Sequence, residues 1–307
     1  MTSTQEPLTR TALVIPVFNR RETTLQALRS LRKVRTDGLD VRIFVVDDGS
    51  TDGTAEAIKN DFPDVRLEFG DGTLHYAAGT NRGIEAAMKW GADLVVAMND
   101  DSIFHEDFLI KLVETSKRFE RSIVGASLLL WDNPHLTFQI APTWSSVNGG
   151  WIFPQNKPIF SFPSEPYQVE CIVGNCVLFP AAAIEENGLM DETNFPTGWG
   201  DVQYTMRMKK AGWNLIVDPS SKVWCEPNTY PAPLHTLPFS ERVRILCRDR
   251  RHPANLGRQF KALWHSAPSR TSAVIAFAFY VGSLGLKAVN IIPLATRTTQ
   301  IRSNSAT

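Results

Sequence analysis

Val45-Val46-Asp47-Asp48-Gly49-Ser50 ends one apolar, β-rich run, and Val96-Ala97-Met98-Asn99-Asp100-Asp101-Ser102 ends another. Carboxylates crowded at the end of a strand repel one another and cost stability unless a cation or hydrogen-bond donors join them. In an open α/β sheet, the carboxyl edge of the strands is where ligands bind. Two such clusters at similar registers predict a site for a nucleotide and a divalent metal. A turn-and-cap role for each cluster is the alternative.

Outward from these clusters the chain alternates. Apolar β-rich runs at Thr11 to Val17, Val41 to Val46, Val65 to Phe69 and Leu94 to Met98 are separated by helical patterns at Glu22 to Val34, Ala55 to Asn60 and Asn81 to Trp90. A further helix is expected over Glu106 to Phe119. Strand–helix alternation over about 100 residues argues for an α/β fold with a mostly parallel sheet and crossover helices. Trp131 to Tyr167 breaks the pattern: it is rich in Pro, Trp, Phe, Ser and Gly, and too long for a plain connection. Regular texture returns at Ile172 to Phe179, then as a helix over Val202 to Ala211 and a strand over Asn214 to Val217. The four prolines within Pro227 to Pro238 mark a linker.

The chain has 307 residues, of which 43% are apolar and 21% charged, with a formal net charge of zero. That charge is unevenly spread. From residue 241 onward eleven Lys and Arg face only Glu241 and Asp249, a surplus of nine, so the preceding body carries nine negative charges. An acidic body with a basic tail suggests an anionic partner, a membrane surface or nucleic acid. No recognised nucleic-acid module is present. Arg258, Phe260, Lys261 and Trp264 precede a charge-free apolar run from Thr271 to Leu286, which extends to Leu294 if Lys287 is tolerated. Sixteen residues fall short of the roughly 20 needed to span a bilayer. Cations and aromatic rings beside an apolar helix fit a membrane interface; a helix packed on the body is the alternative. The four cysteines, Cys171, Cys176, Cys225 and Cys247, show neither paired zinc spacing nor a disulfide framework. The polar N-terminus lacks an apolar signal core. A cytoplasmic protein, peripheral at the inner face of the cell membrane, is expected.

Other α/β enzymes fit less well. A dinucleotide-binding dehydrogenase would place Gly-x-Gly-x-x-Gly after the first strand. A nucleotidyltransferase would carry a Gly-rich basic loop there, and Val17-Phe18-Asn19-Arg20-Arg21 has no glycine.

The order Ile15-Pro16-Val17-Phe18-Asn19, Val46-Asp47-Asp48-Gly49-Ser50, Asn81-Arg82-Gly83-Ile84 and Asn99-Asp100-Asp101 resembles glycosyltransferase family 2, the GT-A fold family that transfers sugars with inversion. The likeness continues through Gly174-Asn175-Cys176-Val177-Leu178-Phe179, Gly188-Leu189-Met190-Asp191-Glu192 and Gly200-Asp201-Val202-Gln203-Tyr204, and covers residues 11 to about 226. Gly70-Asp71-Gly72 to Tyr76, with Asn99-Asp100-Asp101-Ser102, looks closest to a rhamnosyltransferase-like branch.

The resemblance implies a catalytic GT-A domain, bounded here at 1–238, and the charge and hydropathy beyond it mark a basic, apolar helical extension over 239–307. It implies a UDP- or dTDP-type sugar donor, a glycan or lipid-linked acceptor, and a role in cell-surface polysaccharide synthesis. By position, Asp47 contacts the base, with Pro16 and Phe18 shaping its pocket, and Asn19, Asp48 and Asn81 belong to the nucleotide site. Asp100 supports the ribose or the metal, and Asp101 binds Mg²⁺ or Mn²⁺. Hard oxygen ligands shared with substrate phosphates suit such ions, which neutralise charge on the departing diphosphate. Asp201 matches the catalytic base that deprotonates the acceptor hydroxyl; an N-cap for the following helix is its plainer role. Trp199 and Trp151 either stack on an acceptor sugar or belong to the core. The chain departs from the family pattern at Asn99, Gly200 and Cys225, where an acid, an acid and a metal-binding His are usual. A thiolate suits Mg²⁺ poorly, which leaves Glu226 as an oxygen donor. A degenerate, non-catalytic nucleotide-sugar binder is the rival these departures allow.

Overall fold

The fully buried Leu94–Ala97 and the apolar Val177–Phe179 sit at the middle of the sheet. In the computed structural model, which describes residues 8–227, 234–249 and 252–288, the first half of the chain reads β1 (Thr9–Val17), α1 (Arg21–Leu31), β2 (Leu39–Asp47), α2 (Thr54–Asp61), β3 (Arg66–Phe69), α3 (His75–Trp90), β4 (Leu94–Ala97), β5 (Ser102–Phe104), α4 (Phe108–Arg118) and β6 (Ser122–Leu130). There follow β7 (Thr143–Ser145), β8 (Gly150–Ile152), β9 (Tyr167–Gln168), β10 (Val177–Pro180), α5 (Ala181–Asn187), α6 (Gly200–Lys210), β11 (Asn214–Cys225), α7 (Phe239–Cys247), α8 (Leu256–Ser266) and α9 (Arg270–Ala288). Half of the expected linker (228–233), Arg250, Arg251, the N-terminal seven residues and the apolar run beyond Ala288 lie outside the described residues.

The main sheet runs β3-β2-β1-β4-β10-β6-β11-β5, with β9 added to β11. The first four strands are parallel, so β1, β2 and β4 all end at one edge. β10 runs antiparallel between β4 and β6. The sheet is therefore mixed and mostly parallel, with helices on both faces. One core layer gathers Leu25, Leu28 and Leu31 of α1 with Ile15 and Val45, and the other gathers Ile84 and Ala87 of α3 with Val14 and Val95. Gly83 lets α3 sit close to the sheet, because a Cβ there would lie 2.3 Å from Val14 Cγ1.

Several elements differ from the sequence expectation: β5 and α5 are not anticipated, and β11 runs on to Cys225. β6 is buried along all but its last residue, and a wholly apolar strand carries no period-2 signal to set it apart. Helix α3 starts at His75 rather than Asn81, because its first turn uses small residues that pack under another loop: Ala77 N–H donates to Pro196 O at 3.1 Å, and Gly79 faces Pro16. The irregular segment forms the β7–β8 hairpin. Trp151 in that hairpin is core. It packs with Cys171, Val202 and Met206, and its indole N–H donates to Ser266 Oγ at 3.0 Å.

The C-terminal helices lie against this body. α8 packs on α6 and α9, Lys210 Nζ donates to Ala267 O at 2.9 Å, and Gly149 meets Tyr280 of α9. Among the described residues no helix is long and apolar enough to cross a membrane.

Candidate active site

Strand geometry dictates the site. Pro16 pairs with Val46 and Val17 with Asp47, while Val14 pairs with Ala97 on the other side. The segments after β1, β2 and β4 therefore leave the sheet side by side. A cleft of about 350 Å³ opens there, floored by Pro16, Phe18, Asp48, Asn99 and Asp100 and walled by Tyr76.

The two adjacent aspartates after β2 do different things. Asp47 is buried, and its Oδ1 accepts the Ser50 N–H at 2.8 Å, which closes the turn. Asp48 reaches into the cleft. Its Oδ1 accepts the Gly72 N–H at 2.9 Å and its Oδ2 accepts the His75 N–H at 3.1 Å. Gly70 makes that approach possible, since a Cβ there would stand 2.3 Å from Asp48 Oδ1. Asp48 therefore clamps the 70–75 loop to the cleft rim. Phe18 presents a half-exposed ring beside it.

The second cluster is organised by a cation. Arg20 Nη1 donates to Asp100 Oδ1 at 3.1 Å and to Asp101 Oδ2 at 3.2 Å, and Nη2 donates to Glu226 Oε2 at 2.9 Å. Three segments distant in sequence thus meet on one guanidinium. Asp100 is also held by the Thr24 hydroxyl at 3.1 Å. Burial pushes the Asp100 carboxyl up to about 6, with Arg20 opposing and the neighbouring Asp101 charge adding to the rise. The Asn99 carboxamide oxygen is buried and has no hydrogen-bond partner among the described residues. Cys225 is buried; its Sγ accepts from Asn175 Nδ2 at 3.2 Å. Desolvation pushes its thiol up to about 12, so it stays neutral.

This donor set bears on the expected metal. Among the described residues no three His, Cys, Asp or Glu side chains are arranged around a metal position. The oxygens converging on Arg20, together with the orphaned Asn99 oxygen, nevertheless have the hard-donor chemistry that Mg²⁺ or Mn²⁺ takes. The neutral Cys225 thiol adds nothing to that set.

Asp201 sits in the first turn of α6, after Trp199, whose φ is +67°. Its Oδ2 accepts the Gly174 N–H at 2.7 Å. Burial raises its carboxyl above the ordinary value, and backbone N–H groups oppose the rise. Gly174 is also bound from the cleft side: Tyr76 Oη donates to Gly174 O at 2.6 Å. Desolvation, then the Asp201 charge, raises the Tyr76 phenol further, with a smaller contribution from Asp101. The base candidate, the acidic cluster and the cleft wall therefore share one neighbourhood.

Of the residues singled out in the sequence, Pro16, Phe18, Asp48 and Asp100 line the cleft. Asp101 lies one residue behind it, on Arg20. Asn19 borders it without lining it. Its Oδ1 accepts the Thr51 N–H at 2.7 Å, and its own N–H donates to Ser50 Oγ at 2.9 Å, which fastens the two loops together. Asn81 lies elsewhere and is fully engaged there. Its Oδ1 accepts the Met190 N–H at 2.9 Å, and its Nδ2 donates to Met190 O and Glu192 Oε2. Trp199 packs edge-to-face on Phe153.

Arg20, Tyr76 and Gly174 were given no site role in the sequence reading, although Tyr76 and Gly174 fall within its motifs. For Arg20 the signal was available: clustered acids at a strand edge call for a cation, and Arg20 directly follows the loop after β1. Nothing local marks Gly174, whose role depends on what lies above it.

A family model described as Glycosyl transferase family 2 matches residues 12–183, more than half of the chain. An N-acetylglucosaminyl-diphospho-decaprenol L-rhamnosyltransferase of Mycobacterium tuberculosis (strain CDC 1551 / Oshkosh) is 26% identical over 202 residues, covering 60% of this chain and 66% of that protein. The chain thus matches just under two thirds of that relative's length. Among solved structures, GalNAc-T7 with UDP, GalNAc and Mn²⁺ superposes with a TM-score of 0.60 at 15% identity, covering 94% of this chain and 59% of the other. S. aureus TarS 1-349 in complex with UDP superposes with a TM-score of 0.53 at 11% identity, covering 89% and 70%. The mixed sheet and its helical layers are a GT-A fold. The chain belongs to glycosyl transferase family 2.

Proposed function

We propose that this protein is an inverting glycosyltransferase that moves a sugar from a UDP- or dTDP-type donor to a hydroxyl of a lipid-linked glycan in polysaccharide synthesis. One observation carries the reading: Tyr76, a wall of the cleft, donates to the carbonyl of Gly174, the residue whose N–H holds Asp201. The carboxylate suited to general-base work is therefore linked, through Gly174, to a wall of the pocket suited to the donor.

In this reading the nucleotide occupies the cleft, with its base against Phe18 and Pro16 and its ribose near Asp48 and Asp100. Asp47 acts by holding the turn that presents Asp48. Asn99, Asp101 and Glu226 are the residues that would hold Mg²⁺ or Mn²⁺, and such an ion would supply positive charge to the departing diphosphate. Arg20 stands among the same carboxylates and adds a fixed positive charge at the cleft rim. Asp201 accepts the proton of the acceptor hydroxyl as it attacks the anomeric carbon, on the face opposite the diphosphate. Its raised carboxyl strengthens it as a base, and such help is worth about 10²–10⁴-fold.

The acceptor class draws on the M. tuberculosis relative, whose name specifies a diphospho-decaprenol acceptor. UDP in the GalNAc-T7 and TarS complexes supports the donor class. We assign catalysis to 1–238 and place the basic extension, 239–307, at the inner face of the cell membrane. In that extension Val274, Ile275, Phe279 and Val281 of α9 are exposed, and a lipid surface is the occupant that suits them beside Arg270 and Lys261.

The test is a panel of nucleotide sugars incubated with a prenyl-diphosphate-linked N-acetylglucosamine and Mn²⁺, reading release of nucleoside diphosphate. Acceptor-dependent release with at least one donor is expected. Release from none, with nucleotide binding intact, overturns transfer in favour of a non-catalytic binder.

A further inference from the structure

A second cavity, of about 530 Å³, opens between the segment leading into α6 and the start of α8. Its walls include Phe195, Thr197, Gly198, Arg258 and Lys261, and its described lining contains no Asp or Glu. Both charged residues in it are therefore cations. Thr197 lines this cavity and also the nucleotide cleft. The two spaces are neighbours across the Thr197–Gly198–Trp199 segment, which leads directly into Asp201.

The cavity is built rather than incidental. Arg258 Nη2 donates to the Thr197 carbonyl. Gly198 makes room for that contact, since a Cβ there would lie 2.9 Å from Nη2. Lys261 Nζ donates to Asn194 Oδ1 at 3.0 Å, and Asp191 carboxylate oxygens in turn hold the Asn194 main-chain and side-chain N–H groups, the latter at 2.7 Å. Asn255 Oδ1 accepts the Arg258 N–H at 3.0 Å and caps α8. The positive character of the space thus comes from the two side chains rather than from free helix-end amides. Burial pulls the Arg258 guanidinium below its usual value, though it remains cationic at neutral pH, and an anion in the cavity would offset that desolvation. α9, which packs on α8, exposes Val274, Ile275 and Phe279.

We infer that the Arg258–Lys261 cavity binds the diphosphate of the lipid-linked acceptor, with the lipid chain leaving along α9 and the acceptor sugar reaching past Thr197 toward Asp201. This rests on the glycosyl-transfer reading for the acceptor's class and adds where its anionic group is held. Arginine and lysine side chains are the common partners of phosphate oxygens, and the exposed apolar side chains of α9 fit a prenyl chain better than they fit free phosphate.

The experiment is calorimetric titration of the full chain with geranyl diphosphate and with inorganic pyrophosphate, in EDTA and saturating UDP. EDTA keeps the ligands off any cation at the acidic cluster, and UDP fills the donor cleft. Geranyl diphosphate is expected to bind at least tenfold more tightly than pyrophosphate. Lys261→Glu is expected to weaken it at least tenfold, and Lys261→Arg to retain it within threefold. Lys261 is exposed, and an unchanged melting temperature for each variant verifies folding. Equal affinity in Lys261→Glu and wild type overturns the site, as does no binding at millimolar ligand. Equal affinity for the two ligands overturns the lipid assignment. The readout is binding, so it fails independently of the transfer reading, which is decided by nucleoside diphosphate release.

Discussion

Gly174 lies so close under Asp201 that a Cβ on it would be 2.3 Å from Asp201 Cβ and 2.9 Å from Asp201 Oδ2. Its N–H donates to that same Oδ2 at 2.7 Å. A backbone N–H, rather than a mobile side chain, therefore fixes the carboxylate, and the carbonyl of the same residue accepts in turn from Tyr76 on the cleft wall. The arrangement needs a residue without a side chain at position 174.

Gly174→Ala is expected to displace the Asp201 carboxylate. Misplacing a catalytic group by about 1 Å can cost on the order of 10²-fold. A fall in kcat of that order is expected, with the donor KM within about threefold of wild type. Steady-state kinetics with varied donor checks it. A kcat equal to that of wild type would show that the Gly174 contact does not position the base.

Burial raises the Asp201 carboxyl above the ordinary range near 4. A base must be deprotonated to act, so lowering the pH through its pKa removes activity. The acid limb of kcat/KM is therefore expected above the ordinary carboxylate range, and Asp100, pushed up to about 6, titrates on the same limb. A profile flat down to pH 4 would exclude a buried carboxylate as the titrating base.

Arg20→Met removes the cation shared by Asp100, Asp101 and Glu226. Unpairing a buried ion pair costs about 3–5 kcal/mol. Because Arg20 is 38% exposed, solvent screens part of this, and a loss of about 1–3 kcal/mol is expected from urea denaturation. Freed carboxylates repel, so Mn²⁺ is expected to raise the melting temperature of Arg20→Met by more than that of wild type. An unchanged urea midpoint would mean that the guanidinium is not holding the cluster together.

The parallel half of the sheet was legible because apolar runs ended in punctuation that only a strand end explains: Asp48-Gly49 after Val46, and Asn99-Asp100 after Met98. β6 was not, since a strand buried on both faces looks like any other apolar segment. The position of the cleft was legible at Asp48 and Asp100, which both line it. Which of two adjacent aspartates faces a cleft depends on strand pleat and turn geometry, and those fixed Asp47 on Ser50 and Asp48 on the 70–75 loop. Asn81 was misplaced for a similar reason. A polar residue on a buried helix face can serve a ligand or a distant backbone, and here Met190 takes it. The tail's charge was legible, but the cavity its cations line was not, since Lys261 reaches Asn194 across 67 residues.

Asp201→Asn with a turning-over donor and acceptor is the most direct measurement. An asparagine oxygen can still accept the Gly174 N–H, so the fold and the nucleotide cleft should survive, leaving only proton acceptance lost. The account predicts unchanged donor affinity and a kcat lowered by about 10²–10⁴-fold. A variant that releases nucleoside diphosphate at the wild-type rate, in the presence of acceptor, would contradict it.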